Sequence, residues 1–146
     1  MAAGTEPLVL AMVICDAVWQ DAATGKFFLL GVFSSISAKK FPATHPMLAV
    51  WFALTDLRGK TPLKLRLVTV DEDAILCEEA GELADVGDPR VVAEIALHLQ
   101  GVQFPMPGEY RMQLLGQEGA LLAERRIMVL QITGDEHDEP NEDAAR

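Results

Sequence analysis

Phe104-Pro105-Met106-Pro107-Gly108-Glu109-Tyr110-Arg111-Met112-Gln113-Leu114-Leu115 runs into Gly116-Gln117-Glu118-Gly119 and then into Ala120 through Ile132. From Glu109 to Leu114 the apolar residues Tyr110, Met112 and Leu114 alternate with Glu109, Arg111 and Gln113. Successive side chains of a strand point to opposite faces, so this period of two predicts a strand with one face buried. The cluster at 116–119 supplies glycines that take positive φ at no steric cost, as a tight turn requires. The second arm ends in Ile127-Met128-Val129-Leu130-Gln131-Ile132, rich in strand formers. The stretch is a β-hairpin that closes the domain. It carries no chemical motif.

Upstream, the chain continues in the same idiom. Leu8 to Cys15 is apolar on both faces, and so are Phe27 to Phe33 and Met47 to Thr55, the last carrying Trp51 and Phe52. Leu63, Leu65 and Leu67 alternate with Lys64 and Arg66, which predicts a strand with a wet outer face. Ile75 to Leu83 is a weaker, acidic strand suited to a sheet edge, where charge discourages association. Asp21 to Lys26, Asp56 to Lys60 and Asp71-Glu72-Asp73 are turns, and Gly31 inside its strand points to a bulge or a close backbone approach. Ser34 to Pro46 reads as irregular, with extended corners at Phe41-Pro42 and His45-Pro46.

Arg90 to Gln103 admits two readings. A helix would use Asp88 as N-cap, Pro89 as first residue and Gly101 as C-cap, with Val92, Ile95, Ala96 and Leu99 on one face. It would leave Leu97 in solvent. A strand points Val91, Ile95, Leu97 and Leu99 inward and Glu94, His98 and Gln100 outward. The strand reading is adopted, and Gly101 then marks a bulge that brings Phe104 to the inner face. The sum is an all-β, antiparallel β-sandwich of immunoglobulin-like or related type, with about eight strands. The domain is read as residues 8–133, behind an extension over 1–7.

Half of the 146 residues are apolar, and the formal net charge is -10. A chain of this length and composition supports one domain with a real core. Six acids against one base, Arg146, place -5 of that charge in the segment from Asp135 to the end. Residues 134–146 are read as an acidic disordered tail. Negative charge disfavours nucleic acid and anionic membranes as partners, since both are polyanions. Cys15 and Cys77 lie in apolar strand-like runs and read as free, buried thiols. The first seven residues lack the basic region of a secretory signal, and Asp16 cuts the first apolar run too early for a membrane span. The expected compartment is the cytoplasm.

Three segments taken together resemble an uncharacterised bacterial all-β family, a domain of unknown function. They are Gly25-Lys26-Phe27-Phe28-Leu29-Leu30-Gly31-Val32-Phe33, Phe41-Pro42-Ala43-Thr44-His45-Pro46 and Phe104-Pro105-Met106-Pro107-Gly108-Glu109-Tyr110. The resemblance spans roughly residues 8–132. It implies a small all-β domain and supplies no activity, cofactor or catalytic residue.

Candidate chemistry is sparse. His45, His98 and His137 show no short ligand spacing with the cysteines, so no zinc site is read. Asp71, Glu72 and Asp73, with Glu78, Glu79, Asp85 and Asp88, could ligate calcium, but they read first as solvated loop acids. Ser34, Ser35 and Ser37 lack a nucleophile elbow. Gly25-Lys26 lacks the rest of a phosphate loop. Lys39, Lys40, Arg58 and Lys60 read as a solvated basic patch. No cofactor, metal or catalytic residue is assigned, and an enzyme built from distant groups such as His45 and Asp56 ranks last.

One feature exceeds ordinary core packing. Both faces of a sandwich sheet are not normally apolar, because one faces water. If the three doubly apolar strands share a sheet, its outer face needs a cover: a second subunit, an unknown protein partner, or the chain's own loop 34–46. On the third strand Leu48, Val50, Phe52 and Leu54 point one way, and Met47, Ala49, Trp51 and Ala53 the other. Met47, Trp51 and Ala53 are the candidate interface. The expected function is a non-catalytic β-sandwich acting through protein–protein contacts as a homodimer. The alternative is a small-ligand or carbohydrate-binding β-sandwich that stacks its ligand on Trp19, Trp51 or Tyr110.

Overall fold

Tyr110, Met112 and Leu114 form one buried row and sit opposite Ile127, Arg125 and Ala123 across an antiparallel pair. The closing hairpin is therefore as the alternation predicts. Its arms are β8 (Gly108–Leu115) and β9 (Leu121–Gln131), joined by a short 3-10 turn, Gln117–Gly119, in which Gly119 takes φ +77°. In this computed structural model the described residues are 6–70 and 74–133.

Seven further strands complete the chain: β1 (Leu8–Gln20), β2 (Phe27–Val32), β3 (Ser35–Ala38), β4 (Ala43–Thr55), β5 (Thr61–Thr69), β6 (Ile75–Leu83) and β7 (Ala93–Phe104). They form two sheets, a four-stranded one in the order β2-β1-β4-β7 and a five-stranded one in the order β3-β9-β8-β5-β6. The fold is an all-β sandwich. Met12, Ile14, Leu48, Val50, Phe52 and Leu54 of one sheet share a core with Leu65, Leu67, Met112, Leu114, Ile127 and Val129 of the other. Tyr110 closes one end. Its ring meets Phe104 edge-on at 5.0 Å, and its hydroxyl donates to the Met106 carbonyl.

The nine strands exceed the expected eight because 34–46 is not irregular. Ser35–Ala38 pairs in parallel with Met128–Gln131, and β4 already begins at Ala43, so His45 and Pro46 lie inside a strand. The pattern hid β3 because four residues are too few to show a period, and because its hydrogen bonds go to the far end of the chain. The Phe41-Pro42 bond is cis. β6 is an edge strand, as its acidity predicts.

The segment 90–103 is strand from Ala93 onward, with two corrections. Val91 precedes β7 and is 42% exposed instead of facing in. Asp88 caps a turn, its carboxylate accepting the Arg90 N–H at 2.9 Å. Gly101, at φ +63°, does switch the inward parity from Leu99 to Val102 and Phe104. No residue is inserted, however: His45 pairs with Val102 and Met47 with Gln100 in unchanged register. The switch is a local twist that only a residue tolerant of positive φ makes cheaply. Gly31, at φ +71°, is a close approach, because a Cβ there would collide with the Asp16 carboxylate of the neighbouring strand.

Candidate interaction surface

The three doubly apolar runs are β1, β2 and β4, and they are adjacent in one sheet. Directly opposite residues of an antiparallel pair share a face. The register therefore defines the outer face of the four-stranded sheet strand by strand. Trp19, Ala17 and Cys15 stand opposite Phe28, Leu30 and Val32. Cys15, Val13 and Ala11 stand opposite Ala49, Trp51 and Ala53. Across β7 the row turns polar at Glu94, His98 and Gln100, with Ala96 beside Trp51. The apolar part is open to solvent at its β2 edge, while Cys15, Ala49 and Ala53 are buried. Trp19 is 54% exposed, Phe28 48%, Leu30 52% and Val32 61%, and the Trp19 and Phe28 rings lie 5.2 Å apart.

The outer face of the other sheet is the opposite in character. Lys64 pairs with Glu78 at 3.2 Å. Arg111 pairs with Glu109 at 2.8 Å and with Glu124 at 3.1 Å, and Arg126 joins Glu109 at 3.0 Å. The Arg66 Nε donates to Gln113 at 2.8 Å. The Arg111 guanidinium, through its hydrogen bond, holds the Glu109 carboxyl below its usual range, and Arg126 adds to that. That face is polar and ion-paired, so β2-β1-β4 carries the candidate interaction surface.

The segment 34–46 does not cover this face. Its β3 joins the five-stranded sheet and its C-terminal part is β4 itself. Of the candidate interface residues, Met47 and Trp51 are half-buried and Ala53 is 5% exposed. The indole N–H of Trp51 is shielded and has no acceptor among the described residues. The exposed apolar groups Trp19, Phe28, Leu30 and Val32 sit one and two strands away from β4, on the end of β1 and on β2. A signal for them existed in the sequence, since Phe28, Leu30 and Val32 alternate. What was missing was which parity faces out.

The other candidates disperse. His45 stacks near Phe33 at 5.6 Å. It lies near the start of β4 and Asp56 lies just past its end, some ~35 Å apart at ~3.3 Å per residue. The His45–Asp56 enzyme reading therefore fails on geometry. His98 accepts the Val18 N–H on its Nε2 at 3.3 Å. Tyr110 is 2% exposed and cannot stack a ligand. Ser35 and Ser37 are used in pairing β3 to β9, and Gly25-Lys26 forms the β1–β2 turn. Arg58 pairs with Asp56 at 2.8 Å. Among the described residues no three His, Cys, Asp or Glu side chains cluster as a metal site would require. Asp71, Glu72, Asp73, His137 and the tail from 134 lie outside the described residues. Cys15 and Cys77 are free thiols in different sheets, Cys15 fully buried and Cys77 half-buried. Burial raises both thiol pKa values above the ordinary one, and the charge of Glu79 adds to the rise at Cys77.

Arg125 was not singled out by pattern. It stands opposite the buried Met112, on the inner face of β9, and its Nη1 donates to the Met12 carbonyl of β1 at 2.6 Å. It is a polar strap between the sheets.

Residues 10–130 match DUF6941, a family of unknown function. The chain belongs to that family. DUF6941 covers β1 to β9 apart from their outermost ends. No curated protein matches the chain. Among solved structures, it is similar to an immunoglobulin-like protein from Pseudomonas aeruginosa, with 18% identity, a TM-score of 0.44, and coverage of 88% of this chain and 99% of that one. It is also similar to a β-glucosidase from Kluyveromyces marxianus, with 11% identity, a TM-score of 0.42 and coverage of 70% of this chain. A β-glucosidase from Listeria innocua matches at 11% identity and a TM-score of 0.41, over 69% of this chain. The matched part is 15% of each β-glucosidase. Among the described residues no helix is long and apolar enough to cross a membrane.

Proposed function

We propose that this member of DUF6941 is a non-catalytic, cytoplasmic β-sandwich that works through protein–protein contacts and forms a homodimer on the outer face of β2-β1-β4. The observation that carries the reading is the solvent-open row Trp19, Phe28, Leu30 and Val32, continuous with Val13 and Trp51. Three strands at ~4.8 Å spacing and a length of ~20 Å give about 300 Å² in projection. That matches the largest patch on many monomers, which is often functional. It falls below the ~800 Å² per partner of a standard interface, so the dimer is weak and concentration-dependent.

A second copy fits this face because it carries no charged side chain on β2 and no like charges to oppose across a two-fold axis. Aromatic residues there match the composition of interface cores. Two free thiols agree with a reducing compartment. Met47 and Trp51 would sit at the inner margin of the contact.

The test is sedimentation over micromolar concentrations. The wild-type chain is expected to show a concentration-dependent dimer, and Leu30→Glu to sediment as a folded monomer. A wild-type monomer across the range refutes the reading.

A further inference from the structure

The two sheets part where the edge strands β6 and β7 face each other. Leu65 and Leu67 of β5 are core residues, and their opposite numbers on β6 are Glu79 and Cys77, with Gly81 opposite Leu63. Residues opposite one another share a face, so Cys77, Glu79 and Gly81 occupy the core-facing side of β6. A closed sandwich needs large apolar side chains in such positions. Here a glycine and a glutamate leave a slot of about 210 Å³, floored by Phe52, Leu65 and Leu114 and walled by Ile95 and Leu97. A Cβ at Gly81 would touch nothing within 4 Å. Glu79 lines the slot where it meets solvent, and makes no ion pair among the described residues. Its neighbour Glu78 points to the other face and is paired with Lys64.

We propose that this slot binds a small amphipathic amine, its apolar chain or ring against Phe52, Leu65 and Leu97 and its ammonium on Glu79. The volume suffices, since a dry cavity of ~150 Å³ already takes benzene. The charge follows from the unpaired carboxylate at an apolar mouth, where a cation gains both attraction and hydrogen bonds. The inference is independent of self-association, because the slot lies at the opposite edge of the four-stranded sheet from β2.

Calorimetric titration of the full chain with n-propyl- to n-hexylammonium tests it. Saturable binding is expected at one site per chain, tightening about fourfold per added methylene until the slot is full. Alkanoates of equal length are expected to bind at least about tenfold more weakly, by one charge-pair interaction. Glu79→Gln should erase the preference for amine over the corresponding alcohol while keeping the chain-length dependence. Gly81→Leu should fill the slot and abolish binding in a chain that still melts cooperatively, and Leu97→Trp serves if Gly81→Leu does not fold. Absence of saturable binding across the series overturns the proposal. So does unchanged affinity in the filled variant, or alkanoate binding as tight as that of the amines.

Discussion

Arg125 shows how a single residue ties two layers together. Its guanidinium reaches from β9 to the Met12 carbonyl, on the stretch of β1 that lies outside the register with β2. A part-buried carbonyl left without a donor costs about 1–3 kcal/mol. Arg125→Met keeps the stem and removes the donor. It is expected to lower unfolding stability by about 1–2 kcal/mol, read from the midpoint of a urea titration at unchanged slope. The second residue-scale prediction concerns Cys15. Burial raises its pKa above the ordinary 9.0. The folded chain therefore holds a proton that the unfolded chain releases first, so the linked stability is fully present below about pH 9 and is lost as pH rises through the folded value. Wild-type stability should fall more steeply than that of Cys15→Ala above pH 9. Parallel slopes for the two proteins would remove the linkage.

At the scale of elements, the β1–β2 pair contains one tight approach. Gly31 takes φ +71° and leaves room for the Asp16 carboxylate. Gly31→Ala should cost the left-handed backbone, roughly 1–2 kcal/mol, plus the displacement of Asp16. In an Asp16→Ala background the carboxylate collision is removed, a 3.2 Å approach to Cβ remains, and the backbone term stays. A double-mutant cycle by thermal unfolding is expected to give a coupling of at least about 0.5 kcal/mol. Additive effects would show that the carboxylate moves freely. The outer face of β8 and β9 carries its own pH signature. The Glu109 carboxyl is held down by Arg111 and Arg126. Its contribution is present above the ordinary carboxyl range and is lost as pH falls through the lowered value, so Glu109→Gln should flatten the acid limb of the stability curve.

At the scale of the whole molecule, the two faces of the sandwich divide the labour. The outer face of the five-stranded sheet is ion-paired, that of the four-stranded sheet is apolar, and the proposed association would use the latter. Removing residues 135–146 takes away charge and no large apolar side chain. The unfolding midpoint should stay within about 2 °C, since the segment's composition offers no large apolar side chain to bury. A clear drop would place part of that segment in the folded structure. Because the same truncation removes -5 of a -10 net charge, it is also expected to strengthen the proposed dimer at low salt, where like-charge repulsion is least screened.

Much of this was legible from order along the chain. Alternation at 109–114 and 63–67 fixed which residues enter the core, because the period of a strand is a local property of the backbone. Leu97 decided strand over helix for 90–103, since a helix would strand it in water. Other features depend on which strand lies beside which. β3 was invisible because its partner is about ninety residues away. The outward parity of β2 was undetermined because both its faces are apolar. The slot needs Gly81 and Glu79 to stand opposite Leu63 and Leu65, which only the β5–β6 register supplies. Composition and alternation determined an all-β, acidic sandwich with too many apolar strands for one core. Tertiary structure alone put those strands side by side and sent Ser35–Ala38 to the other sheet, because pairing register and sheet order are set by contacts between distant residues.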